Sequence, residues 1–357
     1  MRVTAWVVRA AGQPLELHER EEAPGPGEAL VRVAGCGVCH TDIGFFDGSV
    51  TPRHPLPLAL GHEVSGTVAA AGPGAEAWEG REVVVPAVLP CGKCEACASD
   101  RASICGNQVF PGNHLHGGFA THLRVPAAGL CPVPDLRDPA LNPAGLDLAT
   151  LSVIADAVST PYQAVVRSGL AGGDVAVFVG VGGVGGFGVQ IAASLGARVI
   201  AIDVSQERLD LMSAHGALLA LRADGADARE LRQRVRAFAA DCAVPSWRVK
   251  VFETSGTAAG QAAAFSLLGP GGYLSIVGFT PAPVSLRLSN LMAFDATVQG
   301  NWGCVPGHYP AVLQLALSGR VALRPFVEKR PMADVNQAID DMREHRASKR
   351  IVLLPEA

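Results

Sequence analysis

The sequence is short of charge, and of any excess of one sign. Charged residues make up 17% of the 357 residues, and 29 lysines and arginines against 33 aspartates and glutamates leave a net charge of −4. That balance gives no electrostatic footing for nucleic acid or an anionic membrane. With hydrophobic residues at 49%, a disordered chain is excluded. No signal-peptide pattern is present: Met1-Arg2-Val3-Thr4 leads directly into a strand-like run. A disulfide framework is missing too. Nine cysteines in a chain this long, four of them in one short cluster, favour metal over disulfide and a reducing, cytoplasmic setting. Internal repeats and low-complexity linkers are absent. One stretch, Val175 to Ala197, carries no charge and is long enough to cross a bilayer. Its seven glycines and the acid that follows at Asp203 read instead as strand, turn and helix, so no membrane partner is expected.

What is present is enough chain for roughly two domains. Residues 1 to about 35 read as β-rich, with strands at Val3–Val8 and Ala29–Val33. Then comes Gly37-Val38-Cys39-His40-Thr41-Asp42, a soft thiolate two residues before a hydroxyl. A metal would sit on Cys39 and a reacting alcohol would touch Thr41. By itself, a Cys-His pair in a Gly-rich turn is more often structural than catalytic. The run Leu56 to Gly61 leads to His62-Glu63 and back into strand. An imidazole beside a carboxylate suits a ligand and its partner; a surface His-Glu pair is the alternative.

After a strand at Val83–Val88, Cys91, Cys94, Cys97 and Cys105 follow the spacing C-x2-C-x2-C-x7-C. Four thiolates this close can close a tetrahedron, as structural zinc requires. Bridges across loops so short are strained, and an iron–sulfur cluster is the minor alternative with the same ligands. His114, His116 and His122 have no recognised ligand spacing, and Phe119–Val125 reads as strand. Asp147 to Arg167 reads as one helix. Within it, Asp156 is the only acid between Asp147 and Asp174. A carboxylate in such apolar surroundings needs a cation, a donor or a metal, unless it is a helix cap or exposed.

From Val175 the chain alternates strands and helices. Val175–Val179 leads into Gly180-Val181-Gly182-Gly183-Val184-Gly185, then a helix Gly186–Leu195 and a strand Arg198–Ile202 ending at Asp203. A G-x-G-x-x-G at a strand-to-helix turn lets backbone approach a pyrophosphate at the helix N-terminus. Asp203 is placed to accept from both ribose hydroxyls and to repel a 2′-phosphate, which favours NAD over NADP. Helices at Ser205–Ala214, Ala228–Ala240 and Ala258–Leu268 alternate with strands at Ala217–Leu221, Val249–Phe252 and Tyr273–Val277. This is an α/β, doubly wound parallel sheet. Val284–Leu288 and Ala296–Gly300 read as further strands. Helices at Tyr309–Ser318 and Asp334–His345 and a strand at Ile351–Leu354 complete the chain.

Together, the Cys39 stretch, Gly61-His62-Glu63, the four-cysteine lobe and the Gly180–Gly185 turn resemble the zinc-dependent medium-chain alcohol dehydrogenases, in the family's order and over essentially the whole chain. The resemblance implies a GroES-like β-rich catalytic domain at 1–157 and 302–357, with a structural zinc lobe at 91–105. It also implies a Rossmann NAD-binding domain at 158–301, and a homo-oligomer, dimer or tetramer. It makes Cys39 and His62 catalytic zinc ligands. Asp156 stands where many members have a third-ligand cysteine. Glu63 matches a flexible acid behind the zinc, able to enter its coordination sphere, and Thr41 the proton-relay hydroxyl. Two zinc ions per chain and NAD are the implied cofactors. One departure stands out: Gly44 replaces the histidine that many members carry three residues after the hydroxyl, and neither His40 nor His54 is assigned to the relay by spacing.

Less common strings narrow the resemblance. Pro57–Glu63, Val153–Gln163, Leu288–Phe294 and Gly300-Asn301-Trp302-Gly303-Cys304 resemble members that oxidise a ring secondary alcohol to an enone in a coenzyme A thioester, in anaerobic breakdown of aromatic compounds. The small-molecule substrate is then a CoA thioester, with Arg53, Lys329 and Arg330 as candidates for its phosphates by charge alone. Trp302 and Asn301 line a cleft or belong to the core. Another secondary or primary alcohol, conjugate reduction of an enone, a zinc-free reductase of the same fold and a non-catalytic NAD-binding protein are the rival readings.

Overall fold

The computed structural model of the chain describes residues 1–225 and 227–356. Two compact units emerge. One comprises Met1–Ser159, Gly303–Gly319 and Leu323–Ala357; the other comprises Thr160–Trp302 and Arg320–Ala322.

The first unit is built on β-sheet. A seven-stranded sheet runs in the order Val327–Pro331, Arg350–Leu354, Glu28–Gly37, Glu63–Ala71, Glu82–Val85 and Cys131–Pro132, with His122–Pro126 also paired to Glu28–Gly37. A three-stranded sheet places Arg2–Val8 between Glu16–Glu21 and Leu58–Ala59. The register matters for chemistry. Gly37 pairs with Glu63 on one side and with Val352 on the other. Segments near residues 37, 63 and 350 therefore meet at one end of the sheet, directly before Cys39. Gly37 has no room for a side chain there, because a Cβ would lie 2.0 Å from Glu63 Oε2.

The second unit is a six-stranded sheet of parallel strands. Its order is Ala217–Arg222, Arg198–Asp203, Val175–Val179, Val249–Glu253, Tyr273–Ile276 and Thr297–Gly300. Val175–Val179 is buried at all five positions, as a strand covered by helices on both faces must be. The strand order reverses between Val175–Val179 and Val249–Glu253. In open α/β sheets, ligands bind at that switch point, outside the carboxyl ends of the strands. Among the described residues, no helix is long and apolar enough to cross a membrane.

Three sequence expectations are corrected. The single helix over 147–167 is a 3-10 helix at Thr150–Ala155, a break at Asp156, and an α-helix at Ser159–Arg167. Pro161 has no N–H and its ring clashes with the turn before it, so it belongs in a first turn. Val284–Leu288 is not a strand. Pro281 and Pro283 lead into it, and a short helix at Ser289–Phe294 follows. The Cys39 stretch is not merely a turn: Cys39 caps a helix at His40–Asp47, and the Asp42 carboxylate accepts from the Cys39 N–H at 2.9 Å.

Candidate active site

Asp42 organises the first unit's site. Fully buried, it accepts from the N–H groups of Cys39 (2.9 Å) and Gly61 (3.0 Å) and lies 3.2 Å from His62 Nδ1. An ionised carboxylate only accepts, so Nδ1 carries the proton and Nε2 presents its lone pair. Gly61 can serve because its φ is +93°, and because a Cβ there would collide with Phe119 and Cys36. Phe110 covers the imidazole, ring centroids 4.9 Å apart.

His62 Nε2 is buried and makes no hydrogen bond. Around it stand Asp156 Oδ2 at 3.5 Å and, 3.8 Å beyond that oxygen, Cys39 Sγ. Ligand atoms of Cys39, His62, Glu63 and Asp156 all lie within 4.8 Å of one another. An orphaned imidazole nitrogen facing a thiol and a carboxylate is the donor set of a divalent transition metal. The electrostatics agree. Burial opposes a charged His62 ring, yet the adjacent Asp42 carboxylate, with Asp156 and Cys39 beside the ring, lifts its pKa well above the ordinary value. The cluster calls for a positive charge. Thr41 Oγ1 is 3.8 Å from Cys39 Sγ.

Glu63 sits differently. Its carboxylate is gripped by Arg350, through Nε at 2.9 Å and through Nη2, and accepts from Ala157 N at 3.1 Å. Both side chains are buried. Burial pushes the Glu63 carboxyl up against the pull of Arg350. Asp42, Arg350 and Phe110 were not singled out from the sequence. Asp42 had a signal, an acid three residues after Cys39, but its partner His62 is 20 residues on.

The cysteine lobe has the geometry of a metal site. Sulfur–sulfur distances are 3.4 Å for Cys94–Cys97, 3.6 Å for Cys94–Cys105 and 3.5 Å for Cys91–Cys105. Disulfides would be near 2.05 Å, and all nine cysteines are free. A tetrahedron with zinc–sulfur bonds of about 2.3 Å has edges of about 3.8 Å.

In the second unit, Gly180 has φ +86°, and a Cβ on Gly185 would fall 1.9 Å from the Gly180 carbonyl oxygen. At Gly182 a Cβ would meet nothing closer than Arg208 at 3.7 Å, which leaves the turn open to a ligand. No side chain caps the helix Gly185–Ser194 at Val184, and the positive end of its dipole favours an anion there, although Gly186 N–H is already spent on Gly182 O at 2.9 Å. Gly183 is exposed at the tip of the turn. Asp203 accepts from Val181 N at 2.8 Å and Ser205 N at 2.9 Å, and Arg208 lies 3.8 Å from its Oδ1. The turn and Asp203 have the chemistry to hold a dinucleotide. Asn301 is held by Thr160 and Gln163, whereas Trp302 is 49% exposed and is not a core residue. Two of the three candidate CoA contacts are already committed: Lys329 to Asp147, and Arg330 to Glu328 and Asp341.

A doubly wound dinucleotide fold, a cysteine–histidine–carboxylate cluster and a four-cysteine lobe define a zinc-dependent dehydrogenase, and the chain belongs to the zinc-dependent medium-chain alcohol dehydrogenase family. Residues 25–135 match the alcohol dehydrogenase GroES-like domain and residues 183–318 the zinc-binding dehydrogenase domain. An alcohol dehydrogenase of Rhizobium meliloti (strain 1021) is 30% identical over 361 residues, covering 99% of each chain. Another, from Geobacillus stearothermophilus, is 29% identical over 356 residues, covering 98% of each. The structure of a cobalt- and zinc-bound thermostable alcohol dehydrogenase from Pyrobaculum aerophilum matches with a TM-score of 0.82 at 28% identity, covering 99% of this chain and 100% of that one. The chain is a zinc-dependent alcohol oxidoreductase whose cofactors are zinc and NAD(H).

Proposed function

We propose that the chain is an NAD-dependent dehydrogenase of a ring secondary alcohol carried as a CoA thioester, oxidising 6-hydroxycyclohex-1-ene-1-carbonyl-CoA to 6-oxocyclohex-1-ene-1-carbonyl-CoA in anaerobic aromatic degradation. The observation that carries the reaction type is the buried, unpartnered His62 Nε2 facing Cys39 and Asp156. The substrate reading rests on the strings Pro57–Glu63, Val153–Gln163, Leu288–Phe294 and Gly300–Cys304.

In this reading Cys39, His62 and Asp156 hold the catalytic zinc, and Glu63 stays behind it, tied to Arg350. Cys91, Cys94, Cys97 and Cys105 hold the structural one. When bound, zinc supplies Lewis acidity to a substrate hydroxyl, and the nicotinamide accepts a hydride. Asp42 keeps the His62 lone pair aimed at the site. Thr41 Oγ1 takes the hydroxyl proton as its own proton passes on. Gly44 offers no side chain to continue that path, and the space over it is filled by Val50 Cγ2 and Ser49 Oγ, 3.3 and 3.5 Å from where a Cβ would be. Phe110 keeps water off the imidazole. Gly180, Gly182, Gly183, Val184 and Gly185 cradle the pyrophosphate, and Asp203 receives the adenosine ribose.

The test is a substrate panel. kcat/KM for the cyclic hydroxy-acyl CoA thioester is expected to exceed that for the free cyclic alcohol by more than a hundredfold, since remote binding energy is spent at the reacting carbon. Equal values would sink the thioester reading and leave an ordinary alcohol dehydrogenase. Cofactor choice is tested at Asp203. Asp203→Asn removes the charge that repels a 2′-phosphate and leaves Arg208 beside the site. The NAD-over-NADP preference in kcat/KM should fall more than tenfold. An unchanged ratio would show that Asp203 serves only its two backbone N–H groups.

A further inference from the structure

Tyr309 begins the helix Tyr309–Leu317 and is fully buried, yet its hydroxyl is the centre of a polar knot. It donates to the Ala155 carbonyl, and accepts from Ser159 Oγ at 3.2 Å and from Ala87 N–H at 3.3 Å. Burial, then the neighbouring Cys304, pushes the phenol well above its ordinary pKa, so it remains a donor. A phenylalanine would fill the same space but remove the phenol donor, leaving the Ala155 carbonyl to Ser159 Oγ at 3.2 Å and Ala87 N–H at 3.3 Å, which also reach it.

The Ala155 carbonyl belongs to the peptide immediately before Asp156. The peptide immediately after it is held as well, by the Ala157 N–H to Glu63 Oε1 bond at 3.1 Å. Asp156 lies in the break between the 3-10 helix Thr150–Ala155 and the helix from Ser159, so no helical ladder fixes it. Its two flanking peptides are pinned instead. With both planes fixed the Cα–Cβ direction is fixed, and a side chain with two rotatable bonds can search only a small volume.

We propose that Tyr309 is a positioning residue: through the Ala155 carbonyl it sets the Asp156 carboxylate in place for a divalent metal. The proposal rests on the reading of Asp156 as a ligand. The parent chain, Tyr309→Phe, Ser159→Ala and Asp156→Asn are stripped at the catalytic site, kept zinc-loaded at the cysteine lobe, and titrated with cobalt(II). The d–d and thiolate charge-transfer absorption of the Cys39 site is the readout, and melting temperature the folding control. Tyr309→Phe is expected to bind cobalt about ten- to a hundredfold more weakly, with Ser159→Ala weakened in the same direction and the lobe fully loaded. Parent-like affinity in Tyr309→Phe, with Asp156→Asn impaired, overturns the role of Tyr309 and spares that of Asp156. Parent-like affinity and spectrum in Asp156→Asn overturn the ligand reading, and the positioning role with it. Loss of lobe metal together with a collapsed melting temperature in Tyr309→Phe overturns positioning in favour of a general structural role.

Discussion

Cys39→Ala is expected to lower kcat/KM for the alcohol about 10³- to 10⁴-fold while NADH binding is unchanged. The magnitude follows from what is removed. Lewis-acid stabilisation of developing charge contributes several kcal/mol, and about 4–5.5 kcal/mol corresponds to that rate factor. Cys39 also reaches the site as a helix cap rather than as part of a core layer. Its N–H bond to Asp42 is made by backbone and survives the substitution. The fold should therefore persist. Two measurements separate ligand loss from misfolding. Metal content should drop from about two zinc ions per chain to about one, the four-cysteine lobe keeping its own. NADH titration, by fluorescence, should give the parent affinity, because the Gly180–Gly185 turn and Asp203 are untouched. Undiminished turnover with full metal content would remove Cys39 from the chemistry. Loss of both zinc ions would mean that the variant reports folding and not catalysis.

The residues that the structure brings together at the candidate site were legible where they are local in sequence. Cys39 and Thr41 are two residues apart, His62 and Glu63 are adjacent, four cysteines fall within fifteen positions, and the glycine turn joins one strand to the next helix. Most strands and helices of the parallel sheet were legible for the same reason: apolar runs of strand length alternate with longer segments, and the ends differ from expectation by a residue or two. What stayed hidden was set by tertiary pairing. Arg350 meets Glu63 across 287 positions, only because the C-terminal strand adds beside Glu28–Gly37. Tyr309 meets Ala155 across 154. Strand Glu16–Glu21 has four charged residues of six and a single exposed apolar one, Leu17, so it shows no apolar alternation; it is held by six paired positions with Arg2–Val8. The break at Asp156 had one local sign, Pro161, outweighed by the apolar run on either side.

Arg350→Met is the substitution with the largest expected cost in stability, about 3–5 kcal/mol, the range for breaking a buried ion pair from one side. The pair is fully enclosed, with side-chain exposures of 3% for Arg350 and 0% for Glu63. Its loss would leave a carboxylate without a cation in a neighbourhood that already holds Asp42, Asp156 and Cys39. By contrast, removing the exposed partner in Arg9–Glu16 should leave stability nearly unchanged, since water solvates what remains. The double variant Glu63→Gln/Arg350→Met should recover most of the loss, because neither charge is then buried alone. Urea unfolding of all three variants tests this. The metal gives a second handle. A divalent cation at Cys39, His62 and Asp156 partly replaces the missing guanidinium charge, so Arg350→Met should lose less stability when zinc-loaded than when stripped. If the loss is the same in both states, the Glu63 carboxylate does not feel the metal, and its place behind the zinc is that of an anchor for Arg350 and the Ala157 N–H alone. If the loss shrinks with zinc, Arg350 is what holds Glu63 out of the coordination sphere, and the geometry of one buried fork decides how many ligands the metal has.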